Sequence, residues 1–235
     1  MINYWWLSSF AVVGLFLILK WLNGYSEKPI IKSLTNPVFL AITIIAVLLV
    51  SLDLPYKPFF EHTQVLSVLL EPAIVALAIP LYQQFVHIRK NALLILLSCA
   101  AGIINATFVG ALLGLFFCAP SELAASVAAL SVTTPITLLV TDSLGGIASL
   151  AAAMVIFIGV LGAVFGFIIF RLLGIGNDQA QGVAIGTTCH AIGTAAALRE
   201  NPKIGAFASV AMALSALLTA LIVPWLYPFL QQALL

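Results

Sequence analysis

Long stretches of this chain contain no charged residue, and this feature constrains its fold more than any other. No Asp, Glu, Lys or Arg occurs from Ala92 to Cys118 or from Ile147 to Phe170. Charged residues make up 7% of the 235 residues and hydrophobic residues 63%, whereas about 25% of a soluble domain is charged. So few charges cannot cover a surface that faces water, but lipid tails accept apolar side chains directly. The sequence therefore predicts an integral membrane protein and excludes a water-soluble fold.

Charges and Pro/Gly clusters divide the chain into about eight apolar segments. A helix needs about 20 residues to cross a bilayer, and the apolar residues do not alternate with polar ones as they would in a β-barrel. The predicted fold class is therefore an all-α polytopic membrane protein. The segments are Tyr4–Leu22, Pro37–Leu52, Thr63–Val86, Ala92–Cys118, Glu122–Thr141, Ile147–Phe170, Gln179–Leu198 and Ile204–Leu230.

Several classes of function are not expected from the remaining composition. The net charge of +1 comes without a basic stripe, so nucleic acid is not an expected partner. The chain has three cysteines, Cys99, Cys118 and Cys189. Because their number is odd and they lie in apolar stretches, we do not expect a disulfide framework and interpret them as small hydrophobic residues. No His-Glu-x-x-His or Gly-x-Ser-x-Gly pattern occurs, and we predict no enzyme activity, no cofactor and no metal.

The positions of Lys and Arg predict the orientation in the membrane. No basic residue precedes Lys20, so the first segment is expected to stay as a helix and not to be removed as a signal peptide. Basic residues concentrate after the first segment, which predicts an outside N-terminus. If all eight segments cross, Lys57 and Arg171 lie outside, but if segments five and seven re-enter, Lys57 alone does. Re-entrant segments therefore leave one basic residue fewer on the outside, and the distribution of Lys and Arg favours them by that one residue.

Segments five and seven each contain an interruption that a simple lipid-facing helix would avoid. In segment five, Thr133-Thr134-Pro135 is typical of a helix start, and we predict that Thr134 caps a second half-helix. In segment seven, two glycines, three threonines and a histidine fall within residues 186–194. Unwound backbone at membrane depth is tolerated only where it is buried in protein or lines a cavity. Two such breaks therefore predict one shared binding site near the midplane.

The expected ligand of this site is a small anion. Amide N–H groups freed at the start of a half-helix carry partial positive charge and favour a carboxylate. Ordinary alternatives exist, because the Thr hydroxyls could bond back to the preceding turn and His190 could be a packing residue bonded to a neighbouring carbonyl. The predicted substrate-binding residues are Thr133, Thr134, Pro135, Thr187, Thr188, His190, Gly193 and Thr194.

Three further polar residues are candidates for coupling or gating. Glu71 lies well inside the third segment, where an ionisable side chain is a functional candidate, although it could instead accept a hydrogen bond while protonated. Asn105 could instead join two helices, and Asp142 could be an ordinary helix-end aspartate near water.

Four sequence motifs resemble those of the LrgB/CidB family of bacterial membrane proteins, including its YohK branch, and they occur in the same order. They also resemble the C-terminal half of the plastid glycolate/glycerate translocator. The similarity spans nearly the whole chain, and the motifs are Leu70–Tyr82, Ser131–Ile136, Gly145–Ile147 and Gly186–Ala195.

The resemblance implies two alternative functions. One is a secondary carrier for small monocarboxylates such as glycolate, glycerate, lactate or pyruvate. The other is a holin- or antiholin-like modulator of murein hydrolase activity and cell lysis. It also implies a small LrgA/CidA-like membrane protein as partner, an oligomer, and a location in the bacterial inner membrane.

For the carrier, the resemblance implies one LrgB-like domain over residues 1–235 that works as an elevator-like bundle. Residues 1–60 would form scaffold helices and residues 61–235 would carry the site. Thr134, Thr187 and Thr194 would hold the carboxylate together with half-helix amides. His190 would bind the 2-oxygen of the substrate or carry a coupled proton.

Overall fold

The computed structural model describes residues 5–25, 35–69, 72, 75–76, 78–83, 85–117 and 119–234. Its regular elements are helices, and no described residue belongs to a strand, which confirms the all-α prediction. The helices are α1 (Trp5–Gly24), α2 (Pro37–Ser51), α3 (Tyr56–Val68), α4 (Ala78–Gln83), α5 (Phe85–Lys90), α6 (Ala92–Phe116), α7 (Ser121–Ser126), α8 (Thr134–Ser143), α9 (Ala148–Leu172), α10 (Asp178–Glu200) and α11 (Pro202–Leu234).

Three helices of the described chain are long and apolar enough to cross a membrane, and they lie in α6, α9 and α11. Shorter apolar helices lie in α1 and α2. Described parts of the third predicted segment lie in α3, α4 and α5, and Glu71 lies outside the described residues. The structure thus supports a membrane protein with several apolar helices, whereas the number of eight membrane segments is not confirmed.

The chain divides into two compact units, Met1–Ala78 and Ile79–Leu235. In the first unit, α1 packs against α2 and α3, and the Ser9 hydroxyl donates to the His62 carbonyl at 3.0 Å. Helix α2 begins where the Asn36 side chain accepts from the Val38 amide at 2.9 Å, as expected for Asn before Pro at a helix start. The predicted functional division at residue 60 stays a prediction.

In the second unit, α10 reverses direction at its middle. His190 has φ 41° and ψ −140°, outside the helical region. A Cβ built on Gly193 would lie 3.0 Å from Cγ2 of Ile185, although these two residues would be about 12 Å apart along a straight helix. The element is therefore a helical hairpin, called hairpin B (residues 178–200), with its turn at His190.

Two ion pairs bring the ends of hairpin B together. Arg171, at the end of α9, lies 3.2 Å from Glu200, and Lys203, at the start of α11, lies 3.2 Å from Asp178. A straight helix would separate Asp178 and Glu200 by about 33 Å. Both ends of the hairpin therefore lie at the same end of the helical bundle.

The chain between α6 and α9 also folds back on itself. The Thr137 hydroxyl donates to the Ala129 carbonyl at 2.8 Å, and the Ser126 hydroxyl accepts from the Ile147 amide at 2.6 Å. A straight helix would place Ser126 and Ile147 about 31 Å apart. Residues 121–143 therefore form hairpin A, which turns between α7 and α8.

The two hairpins approach the middle of α6 from opposite ends. In hairpin A, Ala124 lies beside Gly114 and Val127 beside Gly110, and the Thr107 hydroxyl donates to the Ala128 carbonyl. This part of hairpin A thus runs antiparallel to α6. Hairpin B extends from the start of α6 to Gly102, where a Cβ on the glycine would lie 2.8 Å from Cγ2 of Thr187. Their re-entry into a bilayer stays a prediction.

Glycines let hairpin B pack closely on α11. A Cβ on Gly182 would lie 2.7 Å from Cβ of Phe207, and a Cβ on Gly186 would overlap the backbone of Ala208. Small residues at such positions allow two helix backbones to approach each other. Gly159 and Gly162 similarly leave room for His190 and Cys189, as expected for close-packing glycines.

We expect Gly186→Ala to destabilise the protein by about 1–3 kcal/mol, because the added methyl group must push α10 away from α11. Gly176→Ala is the control, since no neighbouring atom lies within 4 Å of a Cβ at that position. Thermal unfolding in detergent measures both variants. Equal melting temperatures for the two would show that the contact is not close packed.

Candidate functional site

The turn of hairpin A, here called tip A (residues 129–134), leads into α8. The helix begins at Thr134 with Pro135 as its second residue, and Thr133 is the N-cap residue with φ −61° and ψ 145°. The prediction that Thr134 is the cap was wrong by one residue. The reason is that Pro is tolerated throughout the first turn, where N–H groups have no helical acceptor. The side chain of Thr133 makes no capping hydrogen bond.

The backbone donors of tip A make at most weak hydrogen bonds. Residues 127–131 form a hydrogen-bonded turn, but no short, well-aligned bond of the described residues uses the backbone N–H groups of residues 129–134. Ala129 and Val132 are 2% and 1% exposed, so part of this backbone is buried. A buried N–H group without an acceptor costs about 1–3 kcal/mol. Together with the positive end of the α8 dipole, these donors favour an anionic or carbonyl-containing ligand.

Side-chain hydroxyls hold the carbonyls of the same turn. Thr107 donates to the Ala128 carbonyl at 3.2 Å, and Thr137 donates to the Ala129 carbonyl at 2.8 Å. These bonds pair the acceptors but leave the N–H groups with at most weak hydrogen bonds. The electrostatic character of tip A is therefore that of a donor site.

The turn of hairpin B, here called tip B (residues 187–194), carries buried hydroxyls with weak partners. The Thr187 hydroxyl donates to the Cys99 sulfur at 3.3 Å, and the Thr194 hydroxyl to the Met212 sulfur at 3.8 Å. Both threonines are buried, and sulfur is a weak acceptor. An oxygen atom would be a stronger acceptor than sulfur for either hydroxyl, and Thr187 lines a cavity.

His190 forms the structural centre of tip B. Its Nε2 lies 2.8 Å from the Val155 carbonyl, and because a carbonyl can only accept, Nε2 carries the proton. A Cβ on Gly159 would lie 2.6 Å from Nε2, so the imidazole fits against a glycine of α9. This contact corresponds to the packing alternative, and the proposed role of His190 toward a substrate stays a prediction.

The other predicted residues are placed as follows. The Thr188 hydroxyl bonds back to the Ala184 carbonyl at 2.7 Å, and Gly193 lies against Cys189. Pro135 is exposed at the start of α8, and Asp142 is exposed in its last turn. Asn105 lies at the middle of α6, where its side chain is exposed.

Two cavities follow one face of α6. The first, the Ser98 cavity, has a volume of about 520 Å³, and the second, the Asn105 cavity, about 570 Å³. The Ser98 cavity is lined by Asn91, Leu94, Ile95, Ser98, Gly102, Asn177, Gln179, Ala180, Val183, Ala184, Thr187 and Thr188. The Asn105 cavity is mostly apolar, and its polar side chains are Asn105 and Ser131.

The structure brings the two tips to neighbouring turns of α6 without a hydrogen bond between them. Tip B meets α6 at Gly102, and tip A at Thr107, which are about 8 Å apart along the helix axis. Within the described chain, residues 133–135 and residues 187–194 form no hydrogen bond with each other and share no hydrogen-bond partner. Their joint action on one ligand stays a prediction.

Sequence reasoning missed three buried hydroxyls without hydrogen-bond partners, on Thr141, Ser215 and Thr219. Thr219 lines a gap beside Thr107 and Ser131 that is too narrow to hold a water molecule. Ser215 and Thr219 are four residues apart and share one face of α11. Their spacing was visible in the sequence, but many membrane helices carry such hydroxyls, so it did not distinguish them.

These features define a polytopic helical membrane protein with two opposed hairpins whose tips carry hydrogen-bond donors. A family model described as the LrgB-like family matches residues 12–229. The chain therefore belongs to the LrgB-like family, which confirms the resemblance found in its motifs.

Three relatives illustrate the similarity. The uncharacterized protein YwbG of Bacillus subtilis strain 168 is 34% identical over 94% of this chain and 99% of its own length. The holin-like protein CidB of Staphylococcus epidermidis is 27% identical over 93% of this chain and 96% of its own length. The antiholin-like protein LrgB of Bacillus cereus strain B4264 is 28% identical over 84% and 86%. No solved structure matches the chain.

The backbone at His190 generates a prediction about stability. Glycine is usually about 1 kcal/mol less stable than alanine within a helix, but the positive φ at His190 is strained for any residue with a Cβ. Both His190→Gly and His190→Ala lose the bond to Val155. We therefore expect His190→Gly to be at least as stable as His190→Ala.

The control pair lies at Thr188, in the helical part of the same hairpin. There, we expect the Ala variant to be more stable than the Gly variant by about 1 kcal/mol. Thermal unfolding of the four variants in detergent measures the two differences. If the Ala variant were more stable than the Gly variant by the same amount at both positions, the turn at His190 would not be strained.

Proposed function

We propose that this chain acts in a holin- or antiholin-like membrane system. The supporting observation is that relatives named holin-like CidB and antiholin-like LrgB align with it over most of both chains. Because the alignments cover 96% and 86% of those relatives, the similarity is not restricted to one motif or one unit.

The exposed surface of α6 is compatible with such a role. Leu94, Val109 and Leu113 are exposed, and the Asn105 amide is exposed on the same side of the helix. An amide facing hydrocarbon without a partner is costly. We propose that another polypeptide covers this face in the inner membrane, either a further copy of the chain or a small LrgA/CidA-like protein.

Dye release from liposomes tests this function. With the chain and an LrgA/CidA-like partner incorporated, we expect release of trapped carboxyfluorescein, because a pore of associated helices passes solutes without recognising them. Release should be unchanged in Thr134→Val, whose hydroxyl makes no hydrogen bond within the described chain. Complete retention of the dye under all protein ratios would contradict a holin-like function.

A second candidate is a secondary carrier for small monocarboxylates of the glycolate, glycerate, lactate or pyruvate type. The observation that favours it is that no short, well-aligned hydrogen bond uses the N–H groups of residues 129–134. A protein that only oligomerises has no need for weakly bonded donors in a buried turn, whereas a carboxylate would be a stronger acceptor for several of them. Half-helix starts bind substrate carboxylates in this way in some transporters.

Tip B would complete the recognition. The Thr187 and Thr194 hydroxyls donate only to sulfur, so a ligand oxygen would be a better acceptor for either. The Nδ1 of His190 is left as an acceptor for a substrate hydroxyl, since Nε2 is bonded to Val155. Hairpins A and B would move as one elevator-like bundle, with coupling to H⁺ or Na⁺ as alternatives.

Uptake of labelled glycolate into proteoliposomes tests the carrier. We expect saturable uptake with the partner present, reduced about ten- to hundredfold in Thr134→Val and Thr187→Val, because a hydrogen bond to a charged group contributes about 1.5–3 kcal/mol. Thr43→Val is the matched control, since this exposed threonine only bonds back to Phe39 in α2. Uptake that does not saturate would reject the carrier. So would equal uptake rates in Thr134→Val, Thr187→Val and the control Thr43→Val.

A further inference from the structure

The Ser98 and Asn105 cavities lie on one continuous face of α6. Residues 91, 94, 95, 98 and 102 line the first, and residues 105, 106, 109, 110, 113, 114 and 117 line the second. These positions cover about half of the circumference of α6, and the two sets follow one another along it. We call the two cavities the halves of the α6 groove.

The two halves extend toward opposite ends of α6. The Ser98 cavity includes Asn91 and Gln179, at the starts of α6 and hairpin B. The Asn105 cavity includes Phe117 and Leu123, at the end of α6 and in α7. Because α6 is long and apolar enough to cross a membrane, a crossing would place its two ends on opposite sides of the bilayer.

The polar groups of the groove concentrate where its halves meet. Asn105 and Ser131 lie at the inner end of an otherwise apolar cavity, and Thr187 lies at the inner end of the other, in contact with Gly102. Neither the Asn105 amide nor the Ser131 hydroxyl forms a hydrogen bond with any residue of the described chain. Unpartnered Thr219 lies beside Ser131, buried in the same region.

We propose that the two cavities are access routes from opposite membrane faces to one small-solute site between Gly102 and Asn105. The contact of Thr187 with Gly102 separates the routes. The ligand would be a small solute with acceptor oxygens, held by the Asn105 amide, the Ser131 hydroxyl and the donors of tip A. This inference rests on the carrier candidate and adds Asn105 and Ser131 as specificity-determining contacts.

Cysteine labelling tests the two routes. In a background with Cys99, Cys118 and Cys189 replaced by Ala, Ser98→Cys and Ser131→Cys are treated with a membrane-impermeant thiosulfonate in right-side-out and inverted vesicles. We expect each thiol to react from one face only, and the two from opposite faces. Leu97→Cys is the control, because Leu97 adjoins Ser98 in α6 but lines neither cavity. Labelling of both cysteines from one face, or no faster than Leu97→Cys, would overturn the proposal.

Protection by glycolate tests the shared site. We expect glycolate to slow labelling of both cysteines at least threefold, and ethylene glycol, which lacks the carboxylate, to have no effect. If the cysteine-free background does not fold, thermal unfolding of the natural chain replaces it. Glycolate should then raise the melting temperature of the natural chain and of Leu97→Ala, but not of Asn105→Leu. Absence of both protection and a thermal shift would overturn the shared site.

The outcome is separable from that of the carrier assay. Opposite-face labelling with glycolate protection, in a chain that shows no glycolate flux, would support the two-route site and count against transport. Glycolate flux without labelling from opposite faces would support the carrier and overturn the proposal of two access routes.

Discussion

Backbone hydrogen bonding in an apolar environment is the constraint on which this architecture depends. A helix that crosses lipid satisfies its own N–H and C=O groups, but a helix that turns back exposes the groups of its turn. Here both turns are enclosed by α6, α9 and α11. Thr107 and Thr137 pair the carbonyls of tip A, and Val155 pairs the imidazole of tip B. The long helices are thus both membrane spans and the environment that permits two interruptions.

The surrounding helices satisfy the acceptors of the two turns better than their donors, and this difference determines which ligand the site can bind. At tip A the carbonyls of residues 128 and 129 accept from hydroxyls, whereas the N–H groups of residues 129–134 make no short, well-aligned hydrogen bond in the described chain. At tip B the buried hydroxyls contact sulfur. Both tips therefore present donors at the middle of α6, and no Lys or Arg occurs between Ala92 and Cys118 to supply a fixed positive charge. Such a site favours a small ligand with several acceptor oxygens.

The interruptions themselves were predictable from sequence, because Thr133-Thr134-Pro135 and the Gly/Thr cluster around His190 oppose a continuous apolar helix. The cap was misplaced by one residue, since Pro does not define a single position within the first turn. A reversal within segment seven was among the predictions, but its position at His190 was not, because the positive φ there accompanies the space that Gly159 leaves for the imidazole. Ser131 and Thr219 were missed for a similar reason: their importance comes from the tertiary contact between tip A and α11.

The two candidate functions differ in where a solute would pass. In a holin-like assembly the path runs between chains, and the exposed face of α6 would be its wall or its contact surface. In a carrier the path runs within one chain, along the α6 groove. Asn105 lines that groove and is exposed, so a partner that covers it would close the groove against lipid. An associated small membrane protein is therefore physically compatible with either function, and the names of the relatives do not by themselves decide which path a solute takes.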